Sequence, residues 1–136
     1  MPRAPGAALS TVYDEVGEEG FQRLVDDFYA GVAEDPVLRP LYPPDLSASK
    51  DHLRLFLIQY WGGPTTYSDQ RGHPRLRLRH MPFAIGQRER DAWFRHMSAA
   101  VRALDTRPEI EAQLLDYFEA ASLGLINRVE PPAARR

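Results

Sequence analysis

Apolar residues recur at three- and four-residue steps in almost every segment of this chain that proline or glycine does not interrupt. Phe21, Leu24, Val25, Phe28, Tyr29 and Val32 form the clearest run, the mark of an amphipathic helix with one buried stripe. Asp35-Pro36 ends it, because the residue before a proline is pushed out of the α region. Upstream, Ser10 or Thr11 can cap a short helix through about Glu18 that stops near Gly17 or Gly20. Downstream, "PVLRPLYPPD" leaves room for a turn or two of helix at most. Ser47 or Ser49 can start the next helix, which reaches Tyr60 or Trp61 and stops at Gly62-Gly63-Pro64. Ser49, Leu53, Phe56 and Tyr60 share one face of it. "TTYSDQRGH" reads as a loop, after which Pro74 suits a first helical turn. A long helix follows from about Gln87 to Leu104, with Trp93, Met97, Ala100, Val101 and Leu104 in register. Thr106 to Pro108 separates it from a last helix carrying Ile110, Leu114, Phe118, Ala121 and Leu125.

One stretch breaks the pattern. "RLRLRHMPF", residues 75–83, alternates arginine and leucine as a half-buried strand would. A lone strand among helices has nothing to pair with. Leu76, His80 and Phe83, spaced four and three apart, instead share one side of a short helix that Pro82 ends. The expected fold class is therefore all-α.

Composition removes several functions. The 136 residues suit a single domain with a sizeable core. A net charge of −2 lacks the basic footprint of nucleic-acid binding. No run approaches the length of a membrane span, and "MPRAPGAALS" lacks a signal-like apolar core. The absence of cysteine removes disulfides, thiolate metal sites and thiol nucleophiles together. A cytoplasmic location is the default expectation.

The four histidines, His52, His73, His80 and His96, form no HExxH pair and no closely spaced zinc or di-iron cluster. Nucleophile-elbow, P-loop and dinucleotide motifs are missing too. Taken alone, His80 reads as a core histidine bonded to a backbone carbonyl, and Tyr29, Tyr42 and Trp93 as core aromatics. Yet a buried phenol or indole left unpaired costs on the order of 1–3 kcal/mol. Three such donors on separate elements, with one histidine on an apolar face, point to a pocket holding something polar.

The segments "FYAGVAEDPVLRPLYP", "LFLIQYWGGPTTYSDQRGHPRLRLRHMPF" and "RDAWFRHM" resemble the group II truncated haemoglobins, a family of compact bacterial globins. The resemblance runs from about Val12 to Asn127 and implies one globin domain across residues 1–136, with loose tails at about 1–9 and 130–136. It implies a two-over-two helical sandwich around haem b. His80 falls at the family's proximal iron ligand, Tyr29, Tyr42 and Trp93 at its distal ligand-stabilising donors, and Ser49 at the distal gate. Leu53, Phe56, Phe83, Ile85, Met97 and Leu115 would wall the haem, with Arg75, Arg79 or Tyr67 near its propionates. The sequence departs from the family after the first helix, where adjacent glycines are often found; here Glu18-Glu19 separate Gly17 from Gly20, and the angle of that helix is open.

If His80 ligates iron through one ring nitrogen, the other N–H needs a carbonyl, and Leu76 one turn back offers it. The opposite iron position would stay open to oxygen, nitric oxide or carbon monoxide. Three distal donors imply slow oxygen release, suited to nitric oxide dioxygenation, peroxidase-type chemistry or sensing, with an unknown electron donor. Apolar positions on the last two helices suit either core or a homodimer interface. The competing expectation is a cofactor-free all-α interaction module in which His80 and the tyrosines merely pack.

Overall fold

Thr11 opens the first helix with a reciprocal cap. Its hydroxyl accepts the Asp14 N–H at 3.0 Å, while the Asp14 carboxylate accepts the Thr11 N–H at 3.1 Å. In this computed structural model, residues 11–128 are described; Ser10, the other candidate cap, and the tails assigned to 1–9 and 130–136 lie outside the described residues. Helix α1 spans Val12–Glu34 and bends at Gly17, whose φ of 75° only glycine adopts freely. That bend settles the angle left open by the separated glycines: Gly17 turns the chain, and the two predicted helices join end to end across it.

The other elements are α2 (Ser47–Tyr60), α3 (Thr66–Arg71), α4 (Leu76–His80), α5 (Gln87–Ala103) and α6 (Pro108–Gly124), with a 3₁₀ turn at Arg39–Leu41. Among the described residues every regular element is helical. Helix α1 packs on α2 and α5, and α5 packs on α6, giving the two-over-two sandwich. The stripe read from the sequence forms its centre: Phe21, Leu24, Val25, Phe28 and Val32 are fully buried against Met97, Val101, Leu114 and Phe118. Each such side chain contributes about 1.5–3 kcal/mol by leaving water. Among the described residues, no helix is long and apolar enough to cross a membrane.

Two local expectations fail. "TTYSDQRGH" is not all loop, because Thr66–Arg71 is helical. Its polar surface shows no stripe; a single buried ring, Tyr67, anchors it, and the Gln59 amide of α2 clasps Ser68 by accepting its N–H and donating to its hydroxyl. Pro74 likewise precedes α4 instead of entering its first turn. Arg75 takes the position before the helix, with a left-handed φ of 49°.

Asp35 ties the end of α1 to α5. Extended backbone at Asp35 ends the helix before Pro36, as the pre-proline clash requires. Its buried carboxylate accepts the Val37 N–H at 2.8 Å, the Arg95 guanidinium at 3.0 Å and the His96 Nε2–H at 2.7 Å. His96 also lies so close to Gly31 that an added Cβ would fall 2.3 Å from its Nδ1. Burial raises the Asp35 pKa, but the hydrogen bonds from His96, Val37 and Leu38 outweigh it and hold the group below its ordinary value. A carboxylate depressed in this way stabilises the fold above the unfolded pKa of about 3.9 and loses that contribution as pH falls through its folded value. Asp35→Asn should therefore lower stability at pH 7 by about 2 kcal/mol. Urea midpoints should show the gap to the parent closing in acid; a gap independent of pH would rule out the charge as its cause.

Candidate functional site

The five residues of α4 are too few to form a helix unaided, and bonds from elsewhere hold them. Arg79 Nε–H donates to the Pro74 carbonyl at 2.7 Å, and Arg75 N–H donates to His73 Nδ1 at 3.1 Å. Beyond α6, Asn127 clasps the other end: its amide donates to the His80 carbonyl at 3.2 Å and its side-chain oxygen accepts the Ile85 N–H at 2.9 Å. Within this frame His80 Nδ1 lies 2.7 Å from the Leu76 carbonyl. A carbonyl only accepts, so Nδ1 carries the proton and Nε2 is left with its lone pair.

His80 lines a cavity of about 320 Å³ walled by all six α-helices and the corner after the 3₁₀ turn. Tyr29, Tyr42, Ser49, Leu53, Phe56, Tyr67, Arg79, Phe83, Ile85 and Trp93 line the same space. Three of the predicted residues do not. Arg75 points to solvent from its left-handed backbone. Met97 is fully buried in the α1–α5 core, and Leu115 packs on that core outside the cavity. Met97 shares the stripe of Trp93 but sits one turn farther along α5, and periodicity reports a face without reporting depth. The slot stays open, and Phe83 on its wall is 41% exposed.

The polar groups gather at two places. Tyr29, Tyr42 and Trp93 form one: the tyrosine rings meet edge to face at 5.5 Å, and Phe28 packs against both Tyr29 and Trp93. Tyr29 O–H reaches the Ser49 carbonyl weakly at 3.5 Å. Burial and then the neighbouring Tyr42 raise the Tyr29 pKa. Burial pushes Tyr42 up to about 12, with Trp93 beside it opposing the rise. Both phenols therefore keep their protons near neutral pH and can donate. Arg39 fixes this corner by donating to the carbonyls of Tyr42, Pro43 and Pro44 at 2.8–3.2 Å.

The second place is a cationic rim that sequence reasoning found only in part. Arg71 and His52 join Arg79 on the cavity wall. Arg71 Nη1–H donates to His52 Nε2 at 3.0 Å, and its guanidinium lies 5.8 Å from the Tyr67 ring centre. A guanidinium only donates, so His52 Nε2 accepts; burial, then the Arg71 charge, lower the His52 pKa in the same sense, with Asp51 opposing and Arg79 adding to it. Arg71 Nε is buried without a partner, a cost that a carboxylate at the rim would remove. The only signal in the sequence was Arg71's place in a segment read as loop.

An apolar slot with a free imidazole nitrogen, a cluster of neutral donors and a rim lacking an anion fits a flat, largely apolar metal complex with carboxylate arms. Haem is such a group. The bacterial-like globin family model matches residues 11–124. The group 2 truncated hemoglobin YjbI of Bacillus subtilis is 38% identical over 125 residues, covering 92% of this chain and 95% of that protein. The crystal structure of a hemoglobin from the thermophilic phototrophic bacterium Chloroflexus aurantiacus superimposes with a TM-score of 0.87 at 51% identity, covering 88% of this chain and 100% of that one. A truncated oxygen-avid haemoglobin from Bacillus subtilis gives a TM-score of 0.83 at 38% identity, covering 87% and 100%. The chain belongs to the bacterial-like globins, as one of the group II truncated haemoglobins, haem proteins that bind oxygen.

Proposed function

We propose that this chain holds haem b in its cavity with His80 as the one protein ligand, and that it binds oxygen with slow release. The observation that carries this reading is the His80 Nδ1–Leu76 bond, which fixes the tautomer and leaves Nε2 for a metal. Arg71, His52 and Arg79 would meet the propionates, with Tyr67 beneath Arg71. Leu53, Phe56, Phe83 and Ile85 would cover the macrocycle and exclude water. Bound haem supplies iron with an open position for a diatomic gas.

The protein decides what happens to that gas through its distal groups. With haem bound, donors among them would favour a gas that takes on negative charge, as oxygen would, over one that stays near neutral, as carbon monoxide would. Tyr29, Tyr42 and Trp93 offer three neutral donors in a buried setting, where each hydrogen bond to a charged group contributes about 1.5–3 kcal/mol. Ser49 lines the cavity, and as the gate it would leave room for a small gas to pass. Tight retention suits oxygen for reaction more than for delivery. Nitric oxide arriving at held oxygen would give nitrate with one electron from an unidentified donor; peroxide reduction would use the same pocket. The relative described as oxygen-avid supports the slow-release reading, and a cytoplasmic site of action is part of the proposal.

Reconstitution with haem should produce a Soret band and a ferrous spectrum with one histidine ligand. His80→Gly should lose that ferrous spectrum and regain it when imidazole is added. An unaltered spectrum without imidazole would show that another residue holds the iron. Trp93→Phe keeps the ring and removes the donor, so oxygen should leave about tenfold faster or more, while carbon monoxide release changes little. Stopped-flow off-rates identical to the parent's would make Trp93 a wall only.

A further inference from the structure

An unbroken line of aromatic rings joins the cavity to the protein surface. Tyr117 of α6 lines the cavity. Its ring lies 4.3 Å, centre to centre, from that of Tyr60 at the end of α2. Tyr60 is 52% exposed, and the other five tyrosines are buried or half-buried. Phe118 stands between Trp93 and the pair of Tyr60 and Tyr117, 5.8 Å from Trp93 and 5.3 Å from Tyr117, and separates them as a ring that is not itself oxidised. Phenol and indole rings in contact exchange electrons readily whereas a phenyl ring is not itself oxidised, and this chain has no cysteine to intercept an oxidising equivalent.

We propose that Tyr117 and Tyr60 form a one-electron relay from the cavity to the surface, with Tyr60 as the exit at which phenolic reductants too large for the cavity are oxidised. This rests on haem occupying the cavity and on hydrogen peroxide as the oxidant. Reduction breaks the O–O bond of one peroxide with two electrons and two protons, giving two waters. Two phenols supply them, one electron and one proton each, and become two phenoxyl radicals. Without an added phenol, the donors are Tyr60 side chains of two molecules, whose radicals join through a new ring carbon–carbon bond as dityrosine.

Proton release decides where the oxidised site settles, because a phenol or indole that loses an electron becomes a strong acid. Tyr60 has water at hand. Trp61 touches both Tyr60 and Tyr117, at 5.0 and 5.5 Å, but its buried N–H has no acceptor. Tyr117 is a conduit for the same reason: burial, then Tyr60 beside it, push its pKa up to about 12. Tyr29 and Tyr42 line the cavity but reach no comparable solvent.

The test uses ferric haem-loaded protein treated with one equivalent of hydrogen peroxide, with the Soret band recorded first. Dityrosine emission and a covalent dimer are expected for the parent and for Tyr13→Phe. Tyr60→Phe should lose both, and Tyr117→Phe should slow their appearance while leaving Tyr60 exposed. A missing Soret band would sink the haem reading itself. A normal band with undiminished cross-linking in Tyr60→Phe would overturn the exit site alone, and an unchanged rate in Tyr117→Phe would overturn the relay.

Discussion

One hydrogen bond, from His80 Nδ1–H to the Leu76 carbonyl, organises the chemistry of this protein. It lies within a five-residue helix, a length at which the cost of nucleation is never recovered locally. The bond exists because Arg79 secures the start of the helix and Asn127 its end. Asn127 also takes the Ile85 N–H, and its own N–H reaches the Ile85 carbonyl at 2.7 Å. The stretch after α6 therefore braces the histidine from a distance of 47 positions in the chain. Metal-ligand geometry here is a tertiary property imposed on a segment with no helical autonomy.

The donor cluster depends on a similar transfer of order. Tyr42 sits in a corner whose prolines lack N–H groups, and Arg39 answers three successive carbonyls with one guanidinium. Tyr29 comes from the buried stripe of α1 and Trp93 from α5, so the cluster closes only when those two helices pack. Asp35 joins the same two helices a short way along, through Arg95 and His96. Core packing and ligand recognition thus share one helix–helix contact. A change that loosened α1 against α5 would spread the donors as well as weaken the fold.

Much of this was legible in the sequence, for physical reasons that differ between residues. The α1 stripe, the stop at Asp35-Pro36 and the return to helix at Ser47 are local rules, and local rules can be read from a string. His80 could be assigned its face because residues four apart overlie each other in a helix. Helix α3 was missed because one ring and a clasp from Gln59 hold it, and neither makes a period. Arg71 was missed with it. Met97 and Leu115 were expected in the cavity wall as apolar residues, and apolar character marks a buried side chain without saying whether core or cavity buries it. Of the candidates for the propionate edge, Arg79 and Tyr67 line the cavity, whereas Arg75, with its positive φ, is exposed outside it.

An open slot through a small helical domain carries a cost in stability, since the atoms lining it forgo dispersion contacts. The buried Arg71 Nε without a partner adds to that cost. Both of these penalties fall at the cavity, while the other buried donor without a partner, Trp61 Nε1, lies outside its lining. A group that filled the slot and answered the guanidinium would relieve both at once. Binding the folded chain alone, it would also add stability by mass action. The defects in packing and in hydrogen bonding are thus complementary to one kind of ligand, flat and apolar across its middle and anionic at one edge. Such complementarity distinguishes a site kept open for an occupant from a cavity left by imperfect packing.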